Sequence, residues 1–328
     1  MAAPLLTAYR ATGADLPFGD PARAHGVPLE GYFWRIVHPQ SGVVAVALGA
    51  VCRDAGRSWG LATLAAHPGG FARTVLTQTA AADRHGFGMR AETALRGDGR
   101  AVVVDLGPDA RLDVTLHDPV PWPRRGGALG AAHALPALPQ YWHPVVLSAH
   151  VRGELRAGEL HQRLDGAVAY AEKNWGGGFP GRWWWGHAAA FDGGDVSVSF
   201  AGGRVPLLGG EVAPTAVVVR LGRAVIALTP PLARTRVALG ADTWRLRTRG
   251  PRTTVEIAAA SDGTPPHELL VPVPAARDAE PRSRQHLGGR LELRVRRGRR
   301  LVFAGESALA GLEVGDPVSP PRPGARSG

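Results

Sequence analysis

The sequence predicts an all-β chain of antiparallel barrels or sandwiches, and three observations point there. Short segments rich in Val, Leu and Thr dominate the chain. Several alternate apolar and polar residues, the period of a half-buried strand, most cleanly in the run from Arg290 to Arg296 (RLELRVR). Gly, Pro and Asp turns at 107–109, 165–166, 202–203 and 262–263 punctuate them, while helical periodicity is weak.

The elements follow in order. A first strand runs through the segment from Leu29 to Arg35. Residues 73–82 (RTVLTQTAAA) are the best short-helix candidate. Strands are expected at 101–106 and 111–116. The Pro/Gly/Ala-rich stretch 119–139 then reads as a long loop with one helical turn. Further strands fall at 145–151, 168–172 and 183–185, then at 196–200. Glycines and prolines break the pattern at 202–214, which places a domain boundary near residue 205. Strands resume at 215–221, 223–229, 243–248, 253–259, 290–295 and 300–305. This divides the chain into domains 1–205 and 206–315, with a disordered tail at 316–328.

Composition narrows the function classes. With 328 residues and 45% apolar content, the chain is long enough to bury a real core. Cys52 is the single cysteine, which excludes a disulfide framework and a Cys-based zinc site. No apolar run is long enough for a transmembrane helix, and the start lacks the pattern of a secretory signal. A cytoplasmic protein is expected, able to touch membranes peripherally. The net charge of +10 is spread along the chain. Its densest run, Arg294, Arg296, Arg297, Arg299 and Arg300, reads as the exposed face and turn of a hairpin. No nucleic-acid-binding motif accompanies it, so no nucleic-acid partner is expected. No histidine spacing suits a metal, and no glycine-rich loop suits a nucleotide, so no cofactor is implied.

One segment concentrates the unusual residues. Of 38 basic residues in the Lys and Arg count, Lys173 is the only lysine, and Asn174 beside it is the only asparagine. Both lie in AYAEKNWGGGFPGRWWWGH, 169–187, which also holds Trp175, Trp183, Trp184 and Trp185 of the chain's nine tryptophans. On a strand, Tyr170 and Glu172 share a face and Lys173 points away. Trp183 and Trp185 share a face and Trp184 takes the other. A carboxyl ringed by indoles suits cation chemistry. Desolvation raises its pKa so that it holds a proton to donate, and indole faces stabilise a carbocation by about 0.5–2 kcal/mol each. The same residues also read as a polar plug at the end of a barrel.

The stretch AEKNWGGGFPGRWWW, Ala171 to Trp185, resembles the signature of the tocopherol cyclase family. Leu29-Glu30-Gly31-Tyr32-Phe33-Trp34-Arg35 is similar to that family's N-terminal element. Ser307 to Gly315 (SALAGLEVG) is similar to its C-terminal one. The resemblance spans about 28–315 and implies two lipocalin-like antiparallel β-barrel domains, a scaffold shared with the carotenoid 1,2-hydratases. Tyr170-x-Glu172-x-Asn174-x-Gly176 fits the hydratase pattern with Glu172 in the aspartate's place. The resemblance then implies chromanol ring closure. Glu172 protonates an isoprenoid alkene of a prenylated hydroquinone, and the phenol oxygen traps the tertiary cation. Lys173 or Asn174 orients Glu172 or binds the quinol oxygen. Tyr170, Trp175, Trp183 and Trp185 line the cation pocket. Glu30, Tyr32 and Trp34 are further candidates for binding the substrate, with Glu30 either a second acid or a polar anchor. His187 stands where plant cyclases carry Gln and is either an acid–base group or a packed residue. The alternatives are a non-catalytic binder of an apolar isoprenoid or quinone ligand, and a hydratase. The arginine-rich surface would help a membrane-borne substrate's enzyme dock on anionic lipid.

Overall fold

The structure is a computed structural model that describes residues 2–316 except 17–18, 24–25, 55, 124–125, 193 and 208–209. The expected tail therefore lies outside the described residues beyond Asp316.

Two antiparallel sheets are curled into barrel-like domains. The first is formed by β1 (Leu29–His38), β2 (Val43–Asp54), β3 (Arg57–His67), β4 (Phe71–Thr77), β5 (Ala81–Ala82), β6 (Gly88–Ala91), β7 (Leu95–Asp98), β8 (Ala101–Asp105), β9 (Ala110–Pro121), β10 (Gln140–Ala157), β11 (Leu160–Arg163) and β12 (Val168–Gly176). Its order is β4-β3-β2-β1-β12-β10-β9-β8-β7-β6-β5, with β11 paired to β10. The second is formed by β13 (Trp183–Ala188) and β14 (Val196–Gly203), then β17 (Thr215–Leu221), β18 (Ala224–Leu228), β19 (Arg234–Leu239), β20 (Thr243–Arg249), β21 (Thr253–Ala260), β22 (His267–Val273), β23 (Asp278–Arg297) and β24 (Arg300–Gly315). Its order is β18-β17-β14-β13-β24-β23-β21-β20-β19, with β22 paired to β23. Between β14 and β17 lies a small hairpin of β15 (Val205–Leu207) and β16 (Gly210–Val212).

Each sheet closes over its own core. Trp34, Ile36, Leu64, Leu95 and Leu112 fill the first, and Trp184, Phe200, Trp244, Leu246 and Leu293 fill the second. A third cluster, including Phe33, Val46, Tyr170, Trp185 and Leu287, forms the seam where the two meet. All ten residues of β1 are buried, because one of its faces packs into the first core and the other against the second barrel. A strand covered on both sides loses its alternation. This explains why Val43–Asp54 reads as a nearly continuous apolar run.

Two expectations need correction. Residues 73–82 hold no helix: 73–77 belong to β4, which pairs with β3 from Gly60↔Thr77 to Ala66↔Phe71, and 81–82 form β5. Tertiary pairing overrides weak local propensity there. The change of sheet falls between Gly176 and Trp183, not near 205, which instead begins the small hairpin. The glycines at 176–178 and Pro180 make that crossing, whereas the glycines and prolines of 202–214 serve a loop inside the second unit. An unforeseen helix, α1 (Ala2–Arg10), precedes the first sheet. Tyr9 on it donates to the Ala134 carbonyl at 2.8 Å. The 119–139 stretch contains the expected single turn, a 3-10 turn at Gly130–Ala134. No helix among the described residues is long and apolar enough to cross a membrane.

Candidate active site

A cavity of about 1020 Å³ opens between the two barrels, walled mainly by apolar and indole side chains. Phe33, Trp142, Phe179, Trp183 and Trp185 contribute the aromatic surface, and Glu172, Asn174 and Glu313 are polar groups on it.

Pairing dictates which residues reach this space. On β12, neighbour of β1 and β10, Tyr170, Glu172 and Asn174 face the second barrel, while Ala171, Lys173 and Trp175 face the first. On β13, Trp184 enters the core of the second barrel, so Trp183 and Trp185 turn to the seam.

Glu172 is 4% exposed and its Oε2 accepts three hydrogen bonds. The donors are Tyr170 Oη at 2.6 Å, Trp142 Nε1 at 2.7 Å and Trp185 Nε1 at 2.9 Å. Tyr170 and Trp142 come from the first sheet, and Trp185 from the second. None of the three bonds falls on Oε1, and the residue borders the cavity. Burial pushes the Glu172 carboxyl up to about 7, against the three donors that favour its ionised form. The group is thus partly protonated near neutrality, with Oε1 the oxygen left to carry the proton.

Asn174 sits on the same wall. Its Oδ1 is buried and makes no hydrogen bond among the described residues. Gly31 lies across from it in the ladder, and a Cβ there would collide with the Asn174 amide. The Glu-Gly-Tyr element therefore leaves room for Asn174.

The other candidates separate into a second group. Lys173 Nζ pairs with Glu30 Oε2 at 3.0 Å and donates to the Arg23 carbonyl at 2.5 Å. It lies over the rings of Tyr32 and Trp175, at 5.4 and 5.5 Å. Glu30 also receives Arg53 Nη1 at 2.5 Å and the Tyr32 hydroxyl at 3.1 Å. Burial raises the Glu30 carboxyl, but Lys173 and Arg53 outweigh it and hold Glu30 below its ordinary value. Glu30 is thus a paired anchor, not a proton-holding acid. Trp175 stacks on Tyr141 and donates to the Gly13 carbonyl at 2.8 Å, on the face opposite Glu172. Trp34 fills the first core and donates to the Asp98 carbonyl at 2.9 Å. The structure therefore brings together Glu172, Asn174, Tyr170, Trp183 and Trp185, and sets Lys173, Trp175, Glu30 and Trp34 apart from them as a polar plug with its aromatic collar, while Tyr32 bonds to Glu30 and also borders the cavity.

His187 stacks on Tyr170, with centroids 4.1 Å apart, and lies behind the acid. Its Nδ1 is 3.3 Å from Arg35 Nη1. Burial first, and the Arg35 charge second, hold the imidazole well below its ordinary value and hence neutral. Arg35 donates to the Leu287 and Leu309 carbonyls of the second barrel at 2.8 and 2.7 Å. Burial lowers its guanidinium to about 9.

Among the cavity residues that sequence reasoning missed are Trp142 and Glu313. Trp142 lies thirty positions from its partner Glu172, and only the β10–β12 pairing brings them together. Glu313 sits within the C-terminal resemblance, but an acid near the end of a strand carries no signal of its own.

The tocopherol cyclase-like family profile matches residues 109–316. The chloroplastic tocopherol cyclase of Zea mays is 30% identical over 115 residues, a stretch covering 33% of this chain and 24% of that relative. A probable chloroplastic tocopherol cyclase of Oryza sativa subsp. japonica is 28% identical over 115 residues, with the same coverage. The chain thus matches about a quarter of the length of these relatives. Among solved structures, CghA superposes with a TM-score of 0.55 at 12% identity, covering 90% of each chain. Kievitone hydratase from Nectria haematococca superposes with a TM-score of 0.51 at 10% identity, covering 87% of this chain and 88% of that one. These likenesses bear on fold alone. The profile extends over most of the chain, from β9 through the acid, the paired indoles and the last strand, and the chain belongs to the tocopherol cyclase-like family.

Proposed function

We propose that the chain is a proton-initiated cyclase that closes a chromanol ring on a prenylated hydroquinone. One observation carries the reading: a buried carboxyl, raised to about 7, on the wall of an apolar, indole-lined cavity of about 1020 Å³. Such a volume lies at the upper end of small-molecule sites and suits a ligand with an isoprenoid tail. Glu172 delivers its proton to the trisubstituted alkene. The three donors on Oε2 then hold the carboxylate left behind. The tertiary cation meets the indole faces of Trp183, Trp185 and Trp142. The phenol oxygen closes the ring, and the Asn174 amide oxygen accepts a hydrogen bond from a substrate hydroxyl. An apolar substrate of this kind reaches the cavity from a membrane or lipid surface.

Incubating the purified protein with prenylated hydroquinones and analysing for chromanol tests this. Wild type should form chromanol, and Glu172→Gln should lose at least about 10²-fold in kcat. Retention of full rate in that variant would remove Glu172 as the acid. A tertiary alcohol in place of chromanol would identify a hydratase. Tight binding without turnover, unchanged by Glu172→Gln, would identify a carrier.

A further inference from the structure

A second carboxyl borders the same cavity. Glu313 lies on β24, and its two oxygens are divided between two donors. Trp183 Nε1 reaches Oε1 at 2.6 Å, and Gln285 Nε2 reaches Oε2 at 3.1 Å. Trp183 and Trp185 project from one face of β13, two residues and so about 7 Å apart along the strand. One indole serves Glu313 and the other serves Glu172. Gly315 makes this possible: a Cβ there would overlap the Trp183 ring, which crosses the β24 backbone at that point. The guanidinium of Arg282 packs on the same ring, 5.5 Å from its centroid.

The two acids differ in how they are held. All three donors to Glu172 converge on Oε2, which leaves Oε1 for a proton. Glu313 has a donor on each oxygen, the arrangement that satisfies a carboxylate. Burial raises both groups, and the charge of Glu313 raises Glu172 further. A proton shared by the pair therefore rests on Glu172.

We propose that Glu313 is the base of the reaction, taking the proton of the substrate's attacking hydroxyl as that oxygen bonds to the cation made by Glu172. The assignment rests on the cyclase reading above. The O–H bond of Glu172 breaks as a C–H bond forms at the less substituted alkene carbon, leaving the tertiary cation. A lone pair of the phenol oxygen forms the C–O bond. The phenol O–H bond breaks, its electron pair stays on oxygen, and its proton passes to Glu313. The substrate gains one proton and loses one, so the product is an isomer and no co-reactant is consumed. After release, Glu313 gives its proton to solvent and Glu172 regains one.

The test compares Glu313→Gln, Glu313→Asp and wild type on a prenylated hydroquinone. Glu313→Gln should lower kcat on the order of 10²-fold, leave KM within a few-fold, and abolish the acid limb of the pH–rate profile. Glu313→Asp keeps the carboxyl and should recover part of the rate together with that limb. Full rate with both limbs intact in Glu313→Gln overturns the assignment and leaves the cyclase reading standing. Absence of chromanol from wild type overturns the cyclase reading itself. A readout independent of substrate is the infrared band of a protonated carboxyl near pH 7. It should be present in wild type, persist in Glu313→Gln and vanish in Glu172→Gln. A band that survives in Glu172→Gln would place the proton on Glu313 and overturn its role as base.

Discussion

Glu172 and Lys173 are chain neighbours with opposite surroundings, and that contrast decides what each can do. Glu172 holds a proton more tightly folded than unfolded, since burial lifts it from an ordinary 4.5 to about 7. Its contribution to stability is therefore fully present below about pH 4.5 and is lost as pH rises through about 7. The shift corresponds to roughly 3 kcal/mol. Glu172→Gln cannot ionise and escapes this loss. Urea unfolding should find the variant more stable than wild type by up to about 3 kcal/mol at pH 8, with the advantage shrinking toward pH 5. An equal difference at both pH values would sink the account. Lys173 faces the other barrel and holds Glu30. Lys173→Met should lower stability by about 3 kcal/mol, because it strips one cation from a buried carboxylate, while kcat stays within a few-fold. A large loss of kcat with intact folding would restore Lys173 to the site. The sequence placed these two residues side by side in one motif. Strand alternation, legible in the same residues, is what parts them.

The acid is assembled by three strands from two sheets. Tyr170 on β12 was legible from its spacing to Glu172, and Trp185 on β13 from the indole run. Trp142 on β10 was not, because cross-strand register is a property of pairing between distant segments, and bulges interrupt this one between Pro144 and Val146. The same limit explains the domain boundary. Glycine and proline mark both 176–180 and 202–214, and only sheet order tells a crossing from an internal hairpin. The all-β class and most later strands could be read because their outer faces meet solvent and keep the period of two, as β20 does with its alternating exposure. The seam strands are covered twice and keep no such rhythm. Trp142→Phe tests the cross-strand donor. It removes a hydrogen bond to a charged group, worth about 1.5–3 kcal/mol, and so disfavours ionised Glu172. The alkaline midpoint of the pH–rate profile should move upward by about one pH unit or more. Trp185→Phe should act in the same direction, though it also removes a cation-facing surface and should lower kcat as well. An unmoved midpoint in Trp142→Phe would mean that this bond does not tune the acid.

At the scale of the whole molecule, the cavity mouth adjoins one row of arginines on the β19–β20 ladder. Leu135 and Val212 border the cavity and are 51% and 40% exposed. Leu232, between the bordering residues Pro231 and Ala233, is 77% exposed. Large apolar side chains left in water at the entrance of an apolar cavity call for an apolar surface to meet them. Arg234 and Arg236 border the same cavity from the edge strand β19, and their ladder partners on β20 are Arg249 and Arg247. Like charges directly opposite one another are unfavourable unless something anionic sits across them. Glu256 reaches Arg247 at 3.1 Å, so the row is only partly neutralised. The proposed membrane contact thus gains a specific geometry: leucines of the rim enter the lipid interface, and the β19–β20 arginines meet anionic headgroups. Each such arginine contributes about 1 kcal/mol at an anionic surface, and a buried leucine about 1.5–3 kcal/mol. Flotation with vesicles of phosphatidylcholine containing phosphatidylglycerol should therefore retain the protein, and raised salt should release it. Replacing Arg234, Arg236 and Arg249 together by Ser should weaken binding roughly 10²-fold, and Leu232→Ser by roughly ten-fold or more. Turnover of a detergent-dispersed substrate should survive all four changes, because none touches Glu172 or Glu313. Equal binding to neutral and anionic vesicles would remove the arginines from this role, and no binding to either would leave the exposed rim to be explained by another partner.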